Sequence, residues 1–204
     1  FLLPGPDHRV APEAAPDAVP GSRARSTPRR AIYLMLAALV GIAVAGAVIE
    51  DAGSSWATLY LRDALAAPAA LAALGYVAVV SFQFAGRLLG DRLADRFGQH
   101  AVARAGGVIA AAGMGAALAF PSVPGTVAGF AAAGFGSATM VPAAMHAADE
   151  LPGLRPGTGL TVLTWLMRIG FLGSPIVVGA VADAVSLRAA LLTVPLAGLA
   201  VVLL

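Results

Sequence analysis

The sequence predicts an all-α polytopic membrane protein, a bundle of six transmembrane helices. Three observations carry that prediction. Hydrophobic residues make up 59% of the chain and charged residues only 12%, with a mean hydropathy of +0.84, far from the balance of a soluble domain. Six segments approach or exceed the roughly 20 apolar residues that a hydrocarbon core of about 30 Å requires. They cover residues 32–61, 64–89, 101–120, 124–146, 159–181 and 187–204. Outside the first 30 residues, charge is dense at one place only, Gly90-Asp91-Arg92-Leu93-Ala94-Asp95-Arg96-Phe97-Gly98-Gln99-His100, between the second and third of these segments.

Residues 1–30 precede the bundle assigned to 31–204. Within 4–30 fall six of the 14 prolines together with Arg9, Arg23, Arg25, Arg29 and Arg30, and very few large apolar side chains. Such a stretch cannot bury enough surface to fold by itself and reads as a linker. The abrupt start at Phe1, and an end inside an apolar run at Leu204, predict a piece of a longer protein. No secretory signal pattern opens the chain.

The first span holds Glu50 and Asp51. Charged groups are expensive in hydrocarbon, so intramembrane carboxylates are functional candidates by default. Counted from Tyr33 at 1.5 Å per residue, Glu50 falls about 26 Å along the helix, past the midplane toward the outer face. Gly53-Ser54-Ser55 follows and predicts a weak point where the helix bends or unwinds. A carboxylate in a cavity of low dielectric favours its protonated form, which a proton-coupled carrier needs. The competing reading puts Glu50 and Asp51 at a solvated helix end, since 32–49 is already nearly long enough to span.

The second span carries Tyr76, Gln83 and Arg87 on one face, with Tyr76 assigned to packing and Gln83 to a cavity. In the fifth span Thr161, Thr164, Trp165 and Arg168 follow an i, i+3, i+4, i+7 spacing and share a face. Arg168 lies about 14 Å into that helix, near the bilayer centre. Its guanidinium would bind an anionic group of a substrate, or pair with a carboxylate of a neighbouring helix. Paired glycines at 106–107, 113 and 115, and 134 and 136, with Gly170, Gly173 and Gly179, predict close helix packing. Pro142 and Pro175 predict kinks.

The segment Gly86-Arg87 through Gly98 resembles the short cytoplasmic loop of the major facilitator superfamily, whose pattern runs G-x-L-a-D-R-x-G-r-k between adjacent helices. Leu93, Ala94, Asp95, Arg96 and Gly98 match it; Asp91 stands where the first glycine falls, and Gln99-His100 where two basic residues are usual. The resemblance implies a twelve-helix carrier of which this chain is the carboxyl-terminal six-helix half, with residues 1–3 the tail of the preceding helix and the proline-rich stretch the central linker. It implies a secondary carrier in the bacterial inner (plasma) membrane, working by alternating access on a small-molecule substrate with no cofactor. Arg87, Asp91, Arg92, Asp95, Arg96 and Gly98 would form a gating loop, Asp95 meeting a helix amino terminus across the interface with the preceding six-helix half. The stretch from Glu50 to Trp56, with Tyr60 to Asp63, resembles the seventh helix of a poorly characterised bacterial branch of that family, where an acidic residue and a tryptophan recur. Cavity residues are thus expected at Glu50, Asp51, Trp56, Gln83, Trp165 and Arg168.

Charge asymmetry gives the orientation independently. With 4–30 in the cytoplasm, Arg92, Arg96, Arg104 and Arg155 also fall inside and only Arg62 and Arg188 fall outside, as the positive-inside rule demands.

Other classes fare worse. A pI near 9.7 with a net charge of +2, and arginines scattered through short loops, do not make a nucleic-acid surface. No cysteine is present, which removes thiolate metal sites and cysteine nucleophiles, and three histidines far apart in sequence build no metal site. An intramembrane serine protease would need Ser137 and His146, about 14 Å apart along one helix and out of contact. A membrane scaffold without transport activity is the remaining alternative.

Overall fold

A computed structural model describes residues 28–204. The expected tail of a preceding helix and all but the last residues of the linker therefore lie outside the described residues. Eight helices follow in order: α1 (Arg29–Leu59), α2 (Ala69–Phe97), α3 (Gln99–Ala119), α4 (Val123–Ser137), α5 (Met140–Asp149), α6 (Thr158–Ala184), α7 (Leu187–Ala190) and α8 (Thr193–Leu203). No strand occurs among the described residues. Five continuous or once-broken spans, Arg29–Ala64, Ala69–Phe97, Gln99–Ala119, Val123–Asp149 and Thr158–Ala184, are long and apolar enough to cross a membrane; Leu187–Leu203 is a shorter apolar sixth. The chain is an all-α polytopic membrane bundle.

Arg29 and Arg30, assigned to the linker, instead begin α1 directly after Pro28. A proline at that position costs nothing, because the first helical turn has no partner for its N–H groups. The expected weak point at Gly53-Ser54-Ser55 does not form. Gly53 packs against Val79 of α2, and Ser54 and Ser55 turn their hydroxyls back onto the carbonyl and carboxylate of Asp51, at 3.2 and 3.1 Å. The helix loosens later, in a π turn over Tyr60–Ala64.

α4 and α5 are one span broken at Ala138 and Thr139. Pro142 explains the position. It has no N–H to give the carbonyl four residues back, which is that of Ala138, and its ring crowds the same group. Pro175 leaves α6 unbroken.

The core is built from Leu36, Leu39, Ile42 and Ile49 of α1 against Met114, Leu118, Phe130, Met140 and Leu163 of the later helices. Small residues set how closely the helices approach. Gly106 of α3 stands against the Gly136 backbone of α4, Gly134 against the Val79 backbone of α2, and Gly107 against Gly198 of α8. A membrane offers little hydrophobic force between helices, so van der Waals contact of this kind carries association. Gly173, by contrast, has open space around it.

α6 is the least enclosed span. It buries Gly159, Leu163, Ser174 and Val178 and leaves Trp165, Ile169, Leu172 and Ile176 exposed. Gly153, in the turn before α6, lies against Ile32 near the start of α1, so this turn and the start of α1 share one end of the bundle. Arg29, Arg30 and Arg155 gather there. α7 packs beside the π turn, which puts Arg188 at the opposite end with Arg62.

Candidate functional site

Glu50 and Asp51 are consecutive on α1 and so point about 100° apart around its axis. That angle sends them to different neighbours. Glu50 faces α2, where its Oε2 lies 3.7 Å from Nη2 of Arg87. Asp51 faces α6, is 5% exposed, and accepts a hydrogen bond from the Ser174 hydroxyl at 2.8 Å. Its other oxygen accepts from Ser55, so both carboxylate oxygens are engaged. Each carboxylate thus ties α1 to a different helix.

The pairing with Arg87 corrects the depth expected for Glu50. Measured from Ala64 at the end of the π turn, Glu50 lies about 21 Å along the first span, and Arg87 about 27 Å along α2 from Ala69. Both are past the middle of a 30 Å core toward the Arg96 end, the opposite side from that expected. The sequence count put the membrane boundary at Tyr33, whereas the span Arg29–Ala64 has 36 residues, about 54 Å at 1.5 Å each, so its first turns stand outside a 30 Å core. Neither is Glu50 at a terminal turn of its helix, which continues nine residues to Leu59.

A second correction concerns the segment expected to be a gating loop. Arg87, Asp91, Arg92, Asp95 and Arg96 all lie on α2, which runs unbroken to Phe97, and α3 starts at Gln99. Only Gly98 interrupts them, with φ of 84°, a left-handed conformation that glycine adopts without a Cβ penalty. Asp91, Arg92, Asp95 and Arg96 are exposed on these last turns, and the Arg96 guanidinium sits 5.4 Å over the Phe97 ring. Arg87 and Asp91, one turn apart, line a cavity of about 470 Å³ with Gln99, Thr139 and His146.

Gln83, one turn before Arg87, is buried, and its Nε2 has no partner among the described residues. Trp56 lies over Gly179 of α6 with its indole N–H likewise unpartnered. Two unmatched donors in hydrocarbon are costly; Trp56 stands within two turns of the carboxylates on α1 and Gln83 one turn from Arg87 on α2. Tyr76 is exposed, away from the packing role expected of it.

Trp165 and Arg168 are not brought to this cluster. With Leu160, Thr161 and Thr164 they line a shallow depression of about 290 Å³ on the uncovered face of α6, while Ser174 and Gly170 face α1. The Thr161 and Thr164 hydroxyls donate to the carbonyls of Gly157 and Leu160, so they are occupied within the helix. No carboxylate among the described residues pairs with Arg168. Ser137 donates to the Gly134 carbonyl and His146 stands 3.6 Å from Glu150, so the serine and histidine do not meet.

Two members of the arrangement were not singled out from the sequence, Ser174 and Thr139, and His146 was weighed only as a protease histidine. Ser174 immediately precedes Pro175, and Thr139 precedes Pro142 by three residues, so the intramembrane prolines were the available signal.

No family model matches the chain. It is 37% identical over 154 residues to membrane protein MosC of Rhizobium meliloti, an alignment covering 76% of this chain and 38% of that protein. It is 27% identical over 141 residues to a Yersinia pestis protein named as an uncharacterized MFS-type transporter, covering 69% and 37%. A third relative, an uncharacterized transporter of Sinorhizobium fredii, is 32% identical over 155 residues, covering 74% and 40%. The chain therefore spans about two fifths of the length of these curated relatives. Their names support a membrane transporter family.

Proposed function

We propose that the bundle from α1 onward is the carboxyl-terminal six-helix half of a major facilitator carrier in a bacterial inner membrane, preceded by the end of another helix at residues 1–3 and a cytoplasmic linker that runs up to Arg29. It moves a small solute by alternating access against a second six-helix half. The supporting observation is the ion pair of Glu50 and Arg87 inside two apolar spans. Charges at such depth are retained where they serve a substrate or ion pathway, and both side chains remain partly open, at 40% and 56% exposure. Glu50 then carries the coupling proton, with Arg87 as its ion-pair partner. Asp51, with both oxygens bonded, serves as the structural counterpart. The uncovered face of α6 with Trp165 and Arg168 fits the side turned toward the second half, where Arg168 would meet an anionic or polar group of the solute.

The test is Glu50→Gln in the full-length protein, which keeps the shape and removes the titrating group. The variant should reach the membrane in normal amount and lose proton-driven uptake across a panel of labelled sugars, organic acids and drugs on which the parent is active. Unchanged uptake with an unchanged pH profile would remove Glu50 from the pathway.

A further inference from the structure

We propose that Asp51, Ser55 and Ser174 hold a monovalent alkali cation, Na+, between α1 and α6. The Asp51 carboxylate is 5% exposed inside an apolar span, and its side-chain partners are two hydroxyls, Ser174 at 2.8 Å and Ser55 at 3.1 Å. Both donate, one to each oxygen, so the carboxylate acts only as an acceptor. No arginine or histidine among the described residues lies within ion-pair distance of it, and the chain has no lysine. Hydroxyls satisfy hydrogen bonds without cancelling charge. A buried charge is stable where it is paired or coordinates a metal, and no such pairing is made here by the described residues.

The same atoms still have oxygen lone pairs to offer. Each carboxylate oxygen has taken one hydrogen bond and keeps a second lone pair, and each serine oxygen keeps its lone pairs after donating its proton. Pro175 contributes a further oxygen. It lies inside α6 and has no N–H to give the Phe171 carbonyl, which stands within one turn of Ser174. In a membrane, carbonyls freed in this way take partners from their surroundings. Carboxylate, hydroxyl and carbonyl oxygens together are hard donors, which suit hard cations in place of copper or zinc.

Charge and space select the ion. One carboxylate balances one positive charge, whereas Ca2+ gathers about six to eight oxygens and Mg2+ keeps several of its waters. Gly170 admits Val44 on one side of Ser174, and Gly179 admits Trp56 on the other. α1 and α6 therefore close around the cluster, which favours Na+ over the larger K+. Entry is from the side of Ser55, an exposed position on α1. The ion joins α1 to α6 by charge, adding to the single hydrogen bond from Ser174. Glu50 is not part of this site, because it turns toward Arg87 of α2. The inference does not depend on transport, so the two can fail separately.

The experiment is thermal unfolding of the purified full-length protein in detergent, in sodium, potassium or choline chloride at equal ionic strength. A ligand bound by the folded state alone raises the midpoint as its concentration passes the dissociation constant. Na+ should raise it by several degrees over choline, and K+ by less. Ser55→Ala and Ser174→Ala each remove one oxygen and should increase the Na+ concentration needed for half of the shift about tenfold. Asp51→Asn should abolish the shift. Ser54→Ala, whose hydroxyl reaches only a carbonyl of its own helix, should leave it intact. A midpoint in Na+ no higher than in K+ or choline, or a Na+ shift that survives Asp51→Asn, overturns the proposal. Where Asp51→Asn does not fold, the serine variants decide, and an unchanged Na+ dependence in both overturns it.

Discussion

The two adjacent carboxylates of α1 differ because their neighbours differ. Glu50 has a loose, half-open ion pair, and pairs of that kind contribute little to stability. Asp51 is buried with two hydroxyl donors, one of them on another helix. Interhelical hydrogen bonds in membranes average about 0.6 kcal/mol and reach about 1.7. A double-mutant cycle of Asp51→Asn with Ser174→Ala should therefore give a coupling of about 1 kcal/mol in unfolding of the purified protein. Ser54→Ala, whose hydroxyl only reaches a carbonyl on its own helix, should cost a few tenths at most. A coupling indistinguishable from zero would mean that Ser174 does not hold Asp51 in the membrane.

At the scale of elements, helix spacing is set by glycines, and one of the tightest seams is between α3 and α4. A Cβ on Gly106 would meet the Gly136 carbonyl oxygen, and neither backbone can yield cheaply. Overpacking of this sort costs about 1–3 kcal/mol. Gly106→Val should lower the thermal midpoint in detergent by several degrees, while Gly173→Ala, in open space, should hold or raise it through better helix propensity. Equal effects of the two would show that the seam is not what holds these helices. The end of α2 matters in another way. Because Asp95 is exposed on a continuous helix, its proposed partner lies beyond the described residues. Asp95→Asn should slow transport by the full-length protein with little change in substrate affinity, by shifting populations of its two states. A large fall in affinity measured by direct binding would contradict a gating role.

For the whole molecule, arginine placement bears on orientation. Arg29, Arg30 and Arg155 at one end, and Arg62 and Arg188 at the other, fit cytoplasmic placement of the first end. A cysteine at Gln99, introduced into a chain with no native cysteine, should resist an impermeant thiol reagent in intact cells and react once the membrane is opened. Labelling from outside would invert the topology.

The sequence by itself determined the fold class and five of the expected spans, the sixth being a shorter apolar segment over Leu187–Leu203, since hydropathy and length register a bilayer's thickness whatever the packing. It also marked the polar residues worth watching, because any charge within an apolar run stands out. Tertiary structure decided their partners. That Glu50 meets Arg87 and Asp51 meets Ser174, 123 residues away, depends on how three helices turn about their axes, and no local pattern encodes those rotations. The continuation of α2 through the charged segment was likewise hidden. A motif read as a loop had helical composition up to Gly98, and nothing before that glycine breaks a helix. Arg168, grouped with Glu50 from the sequence, ended on another face of α6, because only packing against α1 decides which side of an apolar helix turns inward.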